Sequence, residues 1–410
     1  MSNARKIVVV GCGPAAVGAA MAARNQDKSA EVLMLSDEHC EPYEKPPLSK
    51  AVLTGKAMPR DAPIAGPAGV AGKGITLKLK ARVKDIDRAG KTVTTEAGER
   101  ISYDALILAT GSINRVLPMF PPGPRIHYLR TIDESLALKT DLERSKSVLV
   151  VGGGVVGLEI ASSAAELGIK TTVMEIAPRI LARVCDEETA AIIHERHRRA
   201  GVDIRLGTAA TALRRLPDGG FEVDTNTGIA ILADCIAVGV GIVPEDHLAK
   251  AAGLVVQDGI LVDHHCRTSD PAIFAAGDCT RFPGPQGPIR LENWRHGQQQ
   301  GSVAGRNAAG GGMAYAMLPS YWSEQYDMYI QGMGWPIAKP SKRVRRKLGD
   351  NATVLFELDG AVIAYVLGIN AQREMGPARR LIEQRVPVDP AELADPAKPL
   401  NAMLKAKAQT

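Results

Sequence analysis

Two glycine-rich turns hold the residues whose types and spacing could do chemistry. The first is Gly11, Gly13, Pro14, Ala15 and Ala16, reading GxGxxA directly after the apolar run Lys6–Val10. The second is Gly152, Gly153, Gly154, Val155, Val156 and Gly157, a complete GxGxxG after Ser147–Val151. A diphosphate needs this arrangement: one glycine for the tight turn, one so that backbone can approach the phosphates, and a small residue where helix packs on strand. The helix opening after each turn offers free N–H groups and a partial positive charge to the anion. A carboxylate follows each turn at the end of the next strand. Asp37, beside Glu38, stands about 25 residues beyond Gly11, and Glu175 roughly 23 beyond Gly152. Each can accept ribose hydroxyls, so the chain is expected to bind two dinucleotides.

Glu175 also bears on which nicotinamide cofactor would bind. Like charges ~4 Å apart at an effective dielectric near 20 cost about 4 kcal/mol, so a 2′-phosphate is repelled and NADH is favoured over NADPH. Arg179 and Arg183 follow closely and either offset that repulsion or lie along a solvated surface.

The elements that must position these residues are short buried strands feeding helices, the pattern of a parallel α/β fold. A chain of 410 residues has room for two or three domains. Hydrophobic residues at 45% and charged residues at 23% give an ordinary globular balance. The net charge of +5, without a long basic tract interleaved with aromatics, argues against nucleic acid. The apolar run Ile7–Ala23 is broken by Gly11, Gly13, Pro14 and Gly18, so it reads as strand, turn and helix rather than leader peptide or membrane span. Cys12, Cys40, Cys185, Cys235, Cys266 and Cys279 are scattered, with no CxxC and no metal-ligand spacing, which suits a reducing cytoplasm.

Between the fingerprints, Tyr103–Leu108 runs into Ala109, Thr110 and Gly111. Far downstream, Pro271–Ala276 runs into Gly277 and Asp278. In these features the sequence resembles the two-dinucleotide flavoprotein reductases. That resemblance implies two nested Rossmann-like domains plus a small α+β C-terminal domain. The FAD-binding domain would comprise residues 1–112 and 243–320, the NAD-binding domain 113–242, and the C-terminal domain 321–410. The disulfide-using branch carries a CxxxxC pair, but here Cys40 is followed at that spacing by Lys45.

Residues 42–50, PYEKPPLSK, resemble the signature of FAD-dependent ferredoxin and rubredoxin reductases, which serve oxygenases and cytochrome P450 systems. The resemblance runs the length of the chain, through Arg130–Asp133, Asp258–Asp263, Arg267–Asp270, Arg290–Trp294, Gln300–Gly301 and Tyr321–Asp327. It implies that FAD is held by the first turn and Asp37, by Lys45, Pro46 and Lys50, and by Arg82 and Val83. Further contacts are implied at Ala109, Thr110, Gly111, Arg130, Gly277 and Asp278, then Glu292, Asn293, Trp294 and Trp322. For NAD it implies the second turn with Glu159, Glu175, Arg183, Gly239 and Gly241. Lys50 would lie beside the flavin and pair with Glu159. The departures are Lys45 for an arginine, which gives up a bidentate fork, Asn114 for a proline, and Ala16 for the third glycine.

The implied activity is hydride transfer from NADH to FAD, then single electrons to a separate, acidic iron–sulfur ferredoxin, with a [2Fe–2S] centre first in line. The chain would act as monomer or homodimer. Two other readings stay open: an NADH oxidase or peroxidase using Cys40 as a sulfenic acid, and a flavoprotein sensor responsive to NADH. The basic stretch Lys342–Lys347 reads either as a solvated hairpin edge or as the ferredoxin dock, with Arg345 and Arg346 at its centre. In the last domain, strands are expected at 352–358 and 361–368 and a helix at 376–384.

Overall fold

Ile7, Val8, Val9 and Val10 are all buried, as a strand covered on both faces requires. In the computed structural model, which describes residues 4–58, 63–285 and 287–406, Lys6–Val10 is the central strand of a five-stranded sheet. The order is Ile273–Ala275, Ala105–Leu108, Lys6–Val10, Glu31–Leu35, Thr76–Lys78, and every pairing is parallel. A second sheet repeats the plan around the second fingerprint: Asp203–Arg205, Lys170–Met174, Ser147–Val151, Cys235–Val238, Ile126–Tyr128, again all parallel. Each has a three-stranded antiparallel companion, Val83–Asp87 with Thr92–Thr95 and Arg100–Ser102, and Ala210–Arg215 with Phe221–Thr225 and Ile231–Ala233. An antiparallel pair, Ser112–Asn114 with Ile242–Pro244, joins the chain where it passes from the first plan to the second and back.

The alanine-rich helix Pro14–Gln26 packs against the helix Trp294–Ala308. A Cβ on Gly301 or Gly305 would run into the backbone of Ala15 or Ala19, and one on Gly18 would lie 2.5 Å from the Gln298 carbonyl. Small residues on both helices therefore allow backbone to meet backbone. This contact ties the late helix to the first fingerprint.

Met1–Ile180 and His194–Met317 form one compact unit; Leu181–Ile193 and Leu318–Thr410 form another. The second unit is an antiparallel sheet in the order Ser320–Gln325, Met328–Gly334, Val362–Ile369, Thr353–Asp359, Lys342–Lys347. Val354, Phe356 and Val366 form its core with Ala378 and Leu381 of the helix Gln372–Glu383. That helix starts earlier than its sequence suggests and carries Pro377 inside it, because burial of Met375, Ala378 and Leu381 outweighs the local break.

The basic strand Lys342–Lys347 corrects the docking expectation. Arg346 is 1% exposed, donates to the carbonyls of Leu393 (3.1 Å), Asp395 (2.8 Å) and Lys398 (2.8 Å), and pairs with Glu374 at 3.3 Å. Arg345 pairs with Asp186 at 3.2 Å and Glu188 at 2.9 Å. Val344 and Arg346 share the inward face of an edge strand, so the central charges of the run are spent inside the unit. The Tyr321 and Tyr365 hydroxyls, 2.9 Å apart, both donate toward the Val184 carbonyl. Together with Arg345 they fasten residues 181–193 to this unit, a grouping that the linear order of the chain does not announce.

Candidate functional site

Gly11 lies at φ +124°, and a Cβ there would strike the Ala109 carbonyl; its N–H donates to Leu35 O at 2.9 Å. Gly152 repeats this at φ +106°, where a Cβ would be 2.6 Å from Gly239 O and the N–H reaches Met174 O at 2.8 Å. Only glycine fits either turn. Gly13 and Gly154 cap the two helices with extended backbone and no side-chain cap. A Cβ on Gly13 would meet nothing within 4 Å, and one on Gly154 only Gly239 O at 3.9 Å. Both helix mouths thus combine open space with unsatisfied N–H groups and no acid in the first turn, which is what a diphosphate requires. At the third position the two differ. A Cβ on Gly157 would hit the Gly152 carbonyl, whereas Ala16 carries its methyl fully buried.

Opposite the first mouth, Asp278 follows Gly277, which sits at φ +87° with its would-be Cβ 2.9 Å from that of Ala15. Arg130 Nη2 (3.0 Å) and Ser112 Oγ (3.1 Å) both bond Asp278 Oδ2. Oδ1 is left to accept from a ligand hydroxyl. Arg130 also donates to Ser112 O at 3.1 Å. The helix Ile132–Leu142 places it: Thr131 and Glu134 form a capping box, and the Glu134 carboxylate accepts from Arg130 N at 2.7 Å. Asn114 Nδ2 reaches the same carboxylate at 3.3 Å, so the residue standing for a proline has a partner of its own. Thr110 Oγ1 donates to Glu245 O at 2.6 Å, and Gly111 takes φ +73°.

Lys50 and Glu159 come together although 109 positions separate them. Nζ lies 3.3 Å from Glu159 Oε1, with side chains 17% and 6% exposed. The 3-10 turn Pro46–Ser49 presents the lysine. Ser49 Oγ donates to Glu159 Oε2 at 2.5 Å, Ser163 Oγ to Ser49 O at 2.8 Å, and Ser135 Oγ to Leu48 O at 2.7 Å. The ion pair is nearly dry, hydrogen-bonded and anchored from two helices, the condition under which such a pair holds its geometry. Sequence reasoning missed Ser49, Ser135 and Ser163. The one hint was a pair of serines, Ser162 and Ser163, inside an otherwise apolar helix.

Residues 5–301 match the pyridine nucleotide-disulphide oxidoreductase family, and residues 320–404 match the reductase C-terminal family. The chain is 38% identical to the ferredoxin–NAD(+) reductase component of the anthranilate 1,2-dioxygenase system of Burkholderia cepacia, covering 98% of this chain and 100% of the relative. The chain belongs to the FAD-dependent ferredoxin reductases. Among solved structures, putidaredoxin reductase in its covalent complex with putidaredoxin matches with a TM-score of 0.93, 31% identity and coverage of 98% and 99%. The ferredoxin reductase for the CYP199A2 system of Rhodopseudomonas palustris matches with 0.91, 30% identity and coverage of 97% and 99%. FAD and NADH come with membership of these reductases, and the open helix mouths and the free Asp278 oxygen fit the first.

The strand-end acids of this reductase are not alike. Asp37 is exposed, while Glu38 is half-buried and accepts from Tyr43 OH at 2.5 Å and Lys45 Nζ at 3.0 Å. Lys45 lies over the Tyr43 ring at 4.9 Å and also reaches Arg130 O at 3.4 Å. Lys45 is therefore paired with Glu38, while Asp37 beside it stays exposed. Glu175 accepts from Gly153 N at 2.6 Å through Oε2 and from Ala177 N at 2.7 Å through Oε1, so one oxygen reaches the second turn and the other is held by its own loop. Gly241, at φ +106°, accepts from Arg115 N at 3.0 Å. Arg82 is exposed and lies 3.9 Å from Glu96, with Val83 half-buried beside it.

Glu292 pairs with Arg290 at 2.9 Å, and Asn293 caps the helix that Trp294 opens. Burial pushes the Glu44 carboxyl up, partly offset by a hydrogen bond from Trp294. Arg183, exposed, and Trp322, half-buried, fall in the second unit. Burial, then Glu38 and Asp133, push the Cys40 thiol up, and all six cysteines are free. A thiol disfavoured as thiolate is a poor peroxidatic nucleophile. Among the described residues no group of His, Cys, Asp or Glu could hold a metal ion, and no helix is long and apolar enough to cross a membrane.

Proposed function

We propose that this chain takes hydride equivalents from NADH and delivers electrons singly to a separate ferredoxin of the [2Fe–2S] kind, serving an oxygenase or a cytochrome P450. The buried Lys50–Glu159 pair carries the reading, because it links the loop of the first dinucleotide fold to the helix of the second. FAD, when bound, accepts a two-electron hydride and releases electrons one at a time, the conversion an iron–sulfur acceptor needs. Gly13, Arg130 and Asp278 would hold its diphosphate and ribityl chain, with Glu38 at its ribose. The turn Gly153–Val156 and Glu175 would hold NADH, and Lys50 would keep a positive charge beside the bound flavin. The relatives named above act with a ferredoxin or putidaredoxin by their own names. The same reading suits a cytoplasmic protein, as monomer or homodimer.

The test is NADH-driven reduction of a [2Fe–2S] ferredoxin by the FAD-loaded protein, with NADPH and a rubredoxin alongside. Ferredoxin reduction with NADH well ahead of NADPH is expected. NADH consumption without reduction of either iron protein overturns the reading. Lys50→Met should slow flavin reduction by NADH about 10-fold or more in stopped flow, since it strips a buried carboxylate of its counter-charge.

A further inference from the structure

Behind the Gly277–Asp278 turn lies a closed polar cluster on one face of the helix Trp294–Ala308. His296 and Gln300, one helical turn apart, are each 0% exposed. Gln300 Oε1 accepts from Gly277 N at 2.7 Å and from Thr280 Oγ1 at 2.9 Å. The His296 ring stacks on Phe282, centroids 4.9 Å apart, and its Nδ1 lies 2.6 Å from Tyr315 OH. Tyr315 is itself buried and meets both rings edge-on.

Burial lowers the His296 pKa to about 4, with the Asp278 carboxylate and the Gly277 backbone acting the other way. The ring is therefore neutral, with one donor and one acceptor nitrogen. The Tyr315 hydroxyl, whose own pKa burial pushes up, keeps its proton and can donate it to Nδ1. Nε2 is closed to solvent and has no hydrogen-bond partner among the described residues. An atom so enclosed does not touch a bound ligand. The helix face that carries the ring abuts the turn: a Cβ on Gly277 would lie 3.9 Å from the Cα of Gly297, the residue after His296, and Gly277 N is held by Gln300.

We propose that His296 is a positioning residue for FAD: with its ring held by Tyr315 and Phe282, it braces the Gly277–Asp278 turn from behind, as Gln300 does from one turn further along the helix. The proposal rests on the reading of Asp278 as a flavin ligand. The signal in sequence was faint, because a histidine two positions beyond Trp294 gives no sign that it is buried or that Tyr315 will reach it.

The experiment measures the FAD dissociation constant of refolded apoprotein by flavin fluorescence, with the visible circular dichroism of bound flavin and apoprotein melting recorded in parallel. His296→Leu should raise the constant about 10-fold and alter the flavin dichroism, and His296→Asn, which keeps a donor, should recover most of the loss. Tyr315→Phe removes only a hydroxyl, folds more safely, and should raise the constant about 3-fold with little change in apoprotein melting. A constant within twofold of wild type in both His296→Leu and Tyr315→Phe overturns the proposal. So does a loss in His296→Asn as large as in His296→Leu. If His296→Leu does not fold, Tyr315→Phe alone decides. Failure of the wild-type protein to bind FAD would instead defeat the functional reading itself.

Discussion

The two dinucleotide folds share the order of four parallel strands, an antiparallel companion and a GxGxx(A/G) turn, yet they differ at the turn's third small residue. Gly13 and Gly154 both keep a space open, but in the first fold Ala16 packs with a methyl group at the third position. In the second, Gly157 is wedged against the Gly152 carbonyl and the Gly239 backbone. One motif letter thus serves ligand room in one place and backbone packing in another. The acids diverge as well. Glu38 is tied to Tyr43 and Lys45 side chains, while Glu175 is tied to two backbone N–H groups, Gly153 of the glycine turn and Ala177 of its own loop. The first fold is closed from behind by a second helix whose glycines meet Ala15 and Ala19.

The largest effect should come from Gly13→Ala. Its Cβ meets no protein atom, so apoprotein melting should stay unchanged while the FAD dissociation constant rises about 100-fold, or ~2.7 kcal/mol, in a fluorescence titration. An unchanged constant would remove the open space from the argument. Gly157→Ala should act the other way round, lowering stability by about 1–3 kcal/mol in urea unfolding through overpacking and raising the KM for NADH about 10-fold. FAD content should hold. If Gly157→Ala melts like wild type, the contrast between the two third positions fails.

Glu175→Ala should raise the KM for NADH about 5-fold in steady-state assays and narrow the preference over NADPH, since it removes the carboxylate that repels a 2′-phosphate. A preserved preference would shift discrimination to Arg179 or Arg183. The smallest effect belongs to Cys40→Ala, expected to leave ferredoxin reduction within error of wild type. Loss of turnover there would revive the peroxidase reading against the raised thiol pKa.

Much of the site was legible because its parts are local. A strand, a turn with φ above zero and a helix mouth occupy consecutive residues, so Gly11, Gly13, Gly152 and Gly154 announce themselves by spacing. The PPLSK block pointed to Lys50 through resemblance, and the Lys50–Glu159 pair appears where that resemblance put it. That Glu38 rather than Asp37 is the half-buried, paired acid was not legible, because its partners Tyr43 and Lys45 lie on the loop that follows. Arg345 and Arg346 misled for a related reason. In a run of charges nothing marks which face an edge strand will turn inward, and the carbonyls that receive Arg346 come from a segment some fifty residues later.

By itself, then, the sequence determined the two binding turns, the absence of a CxxxxC pair and the block that names the branch of the family, all encoded by short-range spacing. Only the tertiary structure decided that Glu38 pairs with Tyr43 and Lys45, that Ser49 and Ser163 hold the central ion pair, and that Gln300 bonds Gly277 one helical turn from the buried His296 and its partner Tyr315. These depend on which distant segments share a surface, and burial, which sets the charge of a histidine or the availability of an arginine, is a property of the packed chain alone.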